Sequence, residues 1–171
     1  MTKPLVNRVA QSKLFTINLE EMYPSRELVD IDLKDFLFQG LILREKEFRS
    51  ALKEISYSGY DDKIVLIYCS TDAIIPVWAY MLVAQYLEGH AFKTYVGTKE
   101  DFIRDYYYEV IANYDVKQYE DERVVIKGCS NRPVPPSAYA FLTERLKPFA
   151  QSIMYGEPCS TVPIFKRPRK L

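Results

Sequence analysis

The sequence predicts an α/β fold: three layers around a mainly parallel sheet, built from a duplicated βαβ unit. Three observations predict it. From about residue 63 onward the hydrophobic period switches repeatedly between strand and helix. The first strand of that stretch, Ile64-Val65-Leu66-Ile67, is a continuous aliphatic run, as suits a strand covered on both faces. And Lys63-Ile-Val-Leu-Ile-Tyr-Cys69-Ser70 lines up with Arg123-Val-Val-Ile-Lys-Gly-Cys129-Ser130, at an offset of 60. At the same offset Pro76 meets Pro136 and Leu82 meets Leu142, whereas Gly97 meets Gly156 one residue out of phase.

Residues 1–60 read as an N-terminal extension of a single domain. Alternation in Phe15-Thr16-Ile17-Asn18-Leu19 and in Leu28-Val29-Asp30-Ile31-Asp32-Leu33 predicts two half-buried strands, separated by the turn signal Tyr23-Pro24-Ser25. Phe36-Leu37-Phe38 and Gly40-Leu41-Ile42 form an apolar patch that must pack on something. A helix follows from Arg44 to Ile55, with Phe48, Ala51, Leu52 and Ile55 inward and Glu45, Lys46, Arg49 and Lys53 outward.

Residues 61–98 form the first repeat unit. After the strand at Ile64, Pro76 opens a helix where its missing N–H costs nothing. The helix runs to about Leu87 and stops at Gly89, and Phe92-Lys93-Thr94-Tyr95-Val96 is the next strand. Residues 99–118 are the connecting helix, opened by the capping pair Thr98 and Asp101. Residues 119–160 repeat the pattern with strand Val124-Val125-Ile126, a helix from Ser137 to about Phe149, and strand Ser152-Ile153-Met154-Tyr155. This order implies parallel pairing with right-handed crossovers. Glu157-Pro158-Cys159-Ser160-Thr161-Val162-Pro163 carries no helix or strand signal and is expected to cap the carboxyl edge of the sheet. Residues 161–171 form a basic tail.

Hydrophobic residues make up 48% and charged residues 27%, enough to bury a core. Lys+Arg and Asp+Glu both number 23, so net charge is zero. Phosphate binding needs a local cationic excess, which excludes nucleic acid as the main partner. The one basic cluster, Lys166, Arg167, Arg169 and Lys170, reads as a solvated end. No apolar run of about 18 residues exists to span a membrane, and Met1 to Ala10 has no signal-peptide core. The expected location is the cytoplasm, where the thiols stay reduced. The helix Val77 to Leu87 is apolar nearly all round, so one face must be covered by the extension or by a second subunit. A homodimer is the expectation.

Cys69, Cys129 and Cys159 each follow a predicted parallel strand, and the carboxyl edge of such a sheet is where ligands bind. If their strands are neighbours, about 4.8 Å apart, the sulfurs converge. Three readings stay open. The first is a three-thiolate metal site for zinc or an iron–sulfur cluster, with Asp72, Asn131, Glu157 or water in the fourth position. The second is a thiol enzyme of the rhodanese-like kind, with Cys69 as nucleophile or sulfur carrier. Against it, the loop Ser70-Thr71-Asp72-Ala73-Ile74-Ile75 has no glycine or base to cradle an anion. The third is a structural or partner-binding module whose cysteines are small buried hydrophobes. His90, the sole histidine, falls at the opposite edge of the sheet and reads as a solvated loop residue. No phosphate-binding glycine loop occurs among the six glycines.

At Ala73-Ile-Ile-Pro-Val-Trp-Ala-Tyr-Met81, Val125-Ile-Lys-Gly-Cys129 and Ser152-Ile-Met-Tyr-Gly-Glu-Pro-Cys-Ser-Thr-Val-Pro163 the chain resembles a bacterial domain-of-unknown-function family, number 2480. Val6-Asn-Arg-Val9 and Asp35-Phe-Leu-Phe-Gln-Gly40 fit the same pattern, so the likeness spans nearly the whole chain. The resemblance implies no established activity. It associates the chain with gene neighbourhoods for iron–sulfur cluster assembly, a context that suits a thiolate site and makes iron–sulfur assembly proteins the expected partners.

Overall fold

The structure is a computed structural model that describes residues 14–128 and 131–168. Contacts group the chain into two compact units. The inner unit, in chain order, is Pro24–Phe102. The outer unit comprises the described residues of Met1–Tyr23 and of Ile103–Leu171. Both mix helices with mainly parallel strands, as the α/β reading predicts.

In the inner unit, β2 (Leu28–Asp32), β5 (Ile64–Tyr68) and β6 (Lys93–Val96) form a parallel sheet with β5 in the middle. Ile64, Val65, Leu66 and Ile67 are all buried, which explains the unbroken aliphatic run. Helix α1 (Glu45–Glu54) and helix α2 (Val77–Leu87) add Phe48, Leu52, Ala79, Val83 and Leu87 to the core over Val65 and Ile67. Phe48 meets the rings of Phe36 and Trp78 edge-on, at 5.2 and 6.0 Å between centroids. Trp78 is therefore a core aromatic. A short hairpin, β3 (Leu37–Phe38) with β4 (Ile42–Leu43), precedes α1.

In the outer unit, β1 (Leu14–Asn18), β7 (Arg123–Lys127), β8 (Ser152–Glu157) and β9 (Ser160–Lys166) lie side by side. The first three are parallel, and β9 runs back antiparallel to β8. Helix α3 (Lys99–Asn113) opens with the expected capping pair: Thr98 Oγ1 donates to Asp101 Oδ2 at 2.8 Å, and the Asp101 N–H returns to Thr98 Oγ1 at 3.3 Å. The division between units falls inside this helix. Tyr107 on α3 is fully buried, and its hydroxyl donates to the Leu19 carbonyl at 2.8 Å; burial pushes that hydroxyl's pKa up. Helix α4 (Pro136–Leu146) places Ala138, Leu142 and Leu146 in the core.

Three expectations change. The stretch 1–60, so far as it is described, is built into the sheets instead of extending from one: β1 pairs with β7 and β2 with β5. β6 and β7 fall in different sheets, so the strand–helix–strand rhythm does not make one continuous sheet. Periodicity reveals each unit's local pattern but not which sheet a strand joins. The segment from Ser160 is a strand, β9, instead of a cap over the carboxyl edge. Pro163 conceals it, yet an edge strand tolerates the lost N–H.

The two units follow one order of elements, and matching features recur at an offset of 59. Asp62 and Asp121 share a φ of 57°. The Asp62 N–H donates to the His90 carbonyl, and the Asp121 N–H to that of Phe149. Pro76 and Pro135 precede α2 and α4, while Gly97 and Gly156 close the matching strands with positive φ. The sequence register of 60 is thus one residue out in the structure. Cys69 falls opposite Gly128, not Cys129.

Candidate functional site

Cys69 follows the last residue of β5, the central strand of the inner sheet, and leads into the loop before α2. Its side chain is half-buried against the inner core, with Sγ 3.2 Å from Thr71 Oγ1. The neighbouring strand fixes this loop. Asp32 at the end of β2 accepts the Ser70 N–H and the Lys34 N–H on Oδ1, both at 3.0 Å, and its Oδ2 lies 3.1 Å from Lys34 Nζ. Only 10% of the Asp32 side chain is exposed. Burial by itself raises its pKa, but hydrogen bonds from the Ser70 side chain and from the Lys34 and Ser70 backbones, with the Lys34 ammonium, outweigh it and hold Asp32 at about 2. The loop beside the thiol is therefore held from β2 by a carboxylate that already accepts the Ser70 N–H.

Tyr80 on α2 has its hydroxyl pKa raised, first by burial and second by its electrostatic interaction with Cys69. The matching tyrosine of the outer unit, Tyr139, instead donates its hydroxyl to the Gly128 carbonyl. At Gly128 φ is +138°, and an added Cβ would come 3.1 Å from that hydroxyl. Glycine is the residue that fits there.

Cys69 follows a strand of the inner sheet, whereas Cys159 lies between two strands of the outer sheet. The strands beside β5 are β2 and β6, and neither carries a cysteine. Cys159 is exposed in the turn between β8 and β9. Cys129 lies outside the described residues, two positions beyond the end of β7. β7 and β8 are neighbours, and Lys127 Nζ pairs with Glu157 Oε2 across their ends at 3.4 Å. Asp72 is exposed in the loop after Cys69. Among the described residues no three His, Cys, Asp or Glu side chains are grouped so as to hold a metal ion. His90 sits at the amino edge as expected, its Nδ1 2.8 Å from Asp61 Oδ1.

Beside the Cys69 loop lies a surface that the sequence only half reveals. An open groove of about 510 Å³ runs between the β3–β4 hairpin and residues 71–76, with Leu41, Ile42, Thr71, Asp72, Ile74 and Pro76 among its walls. The sequence predicts that Leu41 and Ile42 pack away with Phe36. Phe36 does pack, on Phe48, and Phe38 lies under the Arg44 guanidinium, but Leu41 and Ile42 stay exposed. Ile74 is 91% exposed. Val77 and Met81, one turn apart on the outer face of α2, are 75% and 67% exposed. The signal for this face is the all-round apolar composition of α2. The hairpin side has no equivalent signal, because Gln39 and Gly40 turn the chain with positive φ at both residues.

No helix among the described residues is long and apolar enough to cross a membrane. In comparison with known proteins, residues 3–167 fit the family described as Protein of unknown function (DUF2480). No curated protein and no solved structure matches.

Proposed function

We propose, for a chain that belongs to the family of proteins of unknown function DUF2480, a role as a partner-binding module whose working surface is the apolar patch of Leu41, Ile42, Ile74, Val77 and Met81. The observation that carries this reading is the exposure of Leu41, Ile42 and Ile74 around one groove, with Val77 and Met81 exposed on the helix that begins at its edge beside Pro76. Solvated aliphatics occur singly on most proteins; a contiguous set marks an interface. The first partner to expect is a second copy of this chain. Its net charge is zero, so copies do not repel one another, and a two-fold axis would set each patch against its own image. We further infer that the two matching units descend from a duplicated β-loop-α-β element. On that reading the interface arose on one copy of the frame.

Sedimentation at micromolar concentration tests the role. The parent should sediment as a dimer, and Ile74→Asp and Met81→Lys as monomers with unchanged circular dichroism. A parent that is strictly monomeric, or variants that still dimerise, would exclude this interface.

A second reading keeps the metal site. Its support is that, in sequence, Cys129 and Cys159 come two residues after the ends of β7 and β8, which are neighbouring strands. Zinc or an iron–sulfur cluster held there would make iron–sulfur assembly proteins natural partners. Metal content after purification without chelator, compared with Cys129→Ser, decides it: equal and negligible metal in both ends this reading. Cys69 and Asp72 enter only if Cys69→Ser also lowers the metal.

A further inference from the structure

The outer sheet is one strand wider than the inner one, and α4 does not cover the addition. Between α4 and the β7–β8–β9 face lies an open groove of about 790 Å³. Ile126, Ala140, Tyr155 and Ile164 give it an apolar lining, and Glu144 and Lys147 stand at its rim. Tyr139 also lines the groove, and its hydroxyl donates to the Gly128 carbonyl, so this wall offers mainly ring carbon. Small-molecule sites of roughly 300–1,000 Å³ with apolar walls and one or two charged groups are the common kind.

We infer that this groove binds a medium-chain carboxylate: an unbranched apolar chain lying along α4, with its carboxylate at Lys147. Length and charge select that class. From Pro136 to Lys147 the helix spans about 16 Å at a rise of about 1.5 Å per residue. An extended hydrocarbon chain advances about 1.3 Å per carbon, given bonds of about 1.5 Å and angles near 111°, so about twelve carbons fill the groove end to end. At one end the exposed Lys147 ammonium lies 5.9 Å from the centre of the Phe165 ring, and it makes no ion pair among the described residues. Glu144, one turn earlier on the same rim, carries the opposite charge, so the carboxylate is placed on the side of Lys147 away from it. Nothing about this groove depends on the interface proposed for the inner unit.

Titration calorimetry with dodecanoate below its micelle concentration, and with dodecanol as the uncharged control, tests the inference. The parent should bind dodecanoate with one-to-one stoichiometry. Ala140→Trp, at an exposed position on the groove wall, should abolish binding, and Ile164→Arg on β9 should do so independently if the tryptophan disturbs the fold. Lys147→Met should weaken dodecanoate about fivefold and leave dodecanol unchanged, as expected for one exposed charge pair. Absence of binding by the parent, or binding undiminished in both groove-blocking variants, overturns the site. Equal loss of dodecanoate and dodecanol in Lys147→Met overturns the carboxylate assignment.

Discussion

The inner and outer units build one frame and finish it differently. In each, a strand from the amino-terminal stretch lies beside a central strand, a proline precedes a helix, and the helix returns the chain to a parallel third strand. Asn18 and Asp32 cap matching 3-10 turns at the end of the first strand, and Leu19 and Leu33 are fully buried behind them. The additions then diverge. The inner unit gains a hairpin and α1, with a groove between the hairpin and the loop before α2; the outer unit gains β9, with a groove between α4 and the sheet. Helix faces at matching positions make the contrast: Met81 is exposed on α2, whereas the smaller Ala140 lines the groove on α4. One frame thus carries two grooves in different places, set by the elements added to it.

The largest effects should come from the shared core. Leu87 and Leu146 are matching, fully buried residues, and truncating either to alanine should cost about 2–5 kcal/mol in urea unfolding. If the frames are equivalent the two losses agree within about 1 kcal/mol; a wider gap would show that one unit tolerates a void the other does not. Next come the glycines. Gly156→Ala sets a Cβ 2.6 Å from the Ser160 carbonyl oxygen at a φ of +120°, and should destabilise by about 2–3 kcal/mol. Gly128→Ala should cost less, about 1–2 kcal/mol, since the Tyr139 hydroxyl can yield; its inner counterpart Cys69→Ala should sit near zero on the same thermal-melting scale.

The caps give a smaller contrast with a pH signature. Asp32→Ala should lose about 1–2 kcal/mol and Asn18→Ala about 1 kcal/mol or less, because Asp32 holds the Cys69 loop as well as its own turn. Asp32 is shifted down from its ordinary 3.8 to about 2, so its contribution is full above pH 4 and is lost as pH falls through that interval. Acid unfolding of Asp32→Asn should show a shallower slope between pH 4 and 2 than the parent; identical slopes would mean the carboxylate's charge contributes nothing. The smallest expected effect is on reactivity. With a carboxylate holding its loop, Cys69 should alkylate no faster than a free cysteine at neutral pH. Rapid labelling that saturates at Cys69 would revive the rhodanese-like reading.

Much of this architecture is legible in the sequence. Strand periodicity locates β1, β2, β5, β6 and β7 to about one residue and the start of β8, and the Thr98–Asp101 pair marks the start of α3. β9 escapes because Pro163 breaks the strand signal, and its position at an edge is visible only in three dimensions. Cys-Ser in both loops draws the sequence alignment to an offset of 60, whereas the matching backbone geometry at Asp62 and Asp121 falls at 59. That one-residue slip is what separates Cys69 from Cys129 as equivalents. For the site, the apolar α2 face shows in the composition and the Leu41–Ile42 wall does not. Asp32 reads only as a strand residue, because a carboxylate that ties two parallel strand ends together leaves no local pattern.

The pairing of β1 with β7 has a bearing on biosynthesis. Ile17 has its register partner at Ile126, most of the chain away, whereas Ile31 meets Ile67 after a much shorter interval. A chain emerging amino end first can complete the inner sheet while the outer one still lacks its central strand. Throughout that interval Phe15 and Ile17 have no partner strand to pair with, so the outer sheet, which must close the longer loop, is expected to form after the inner one.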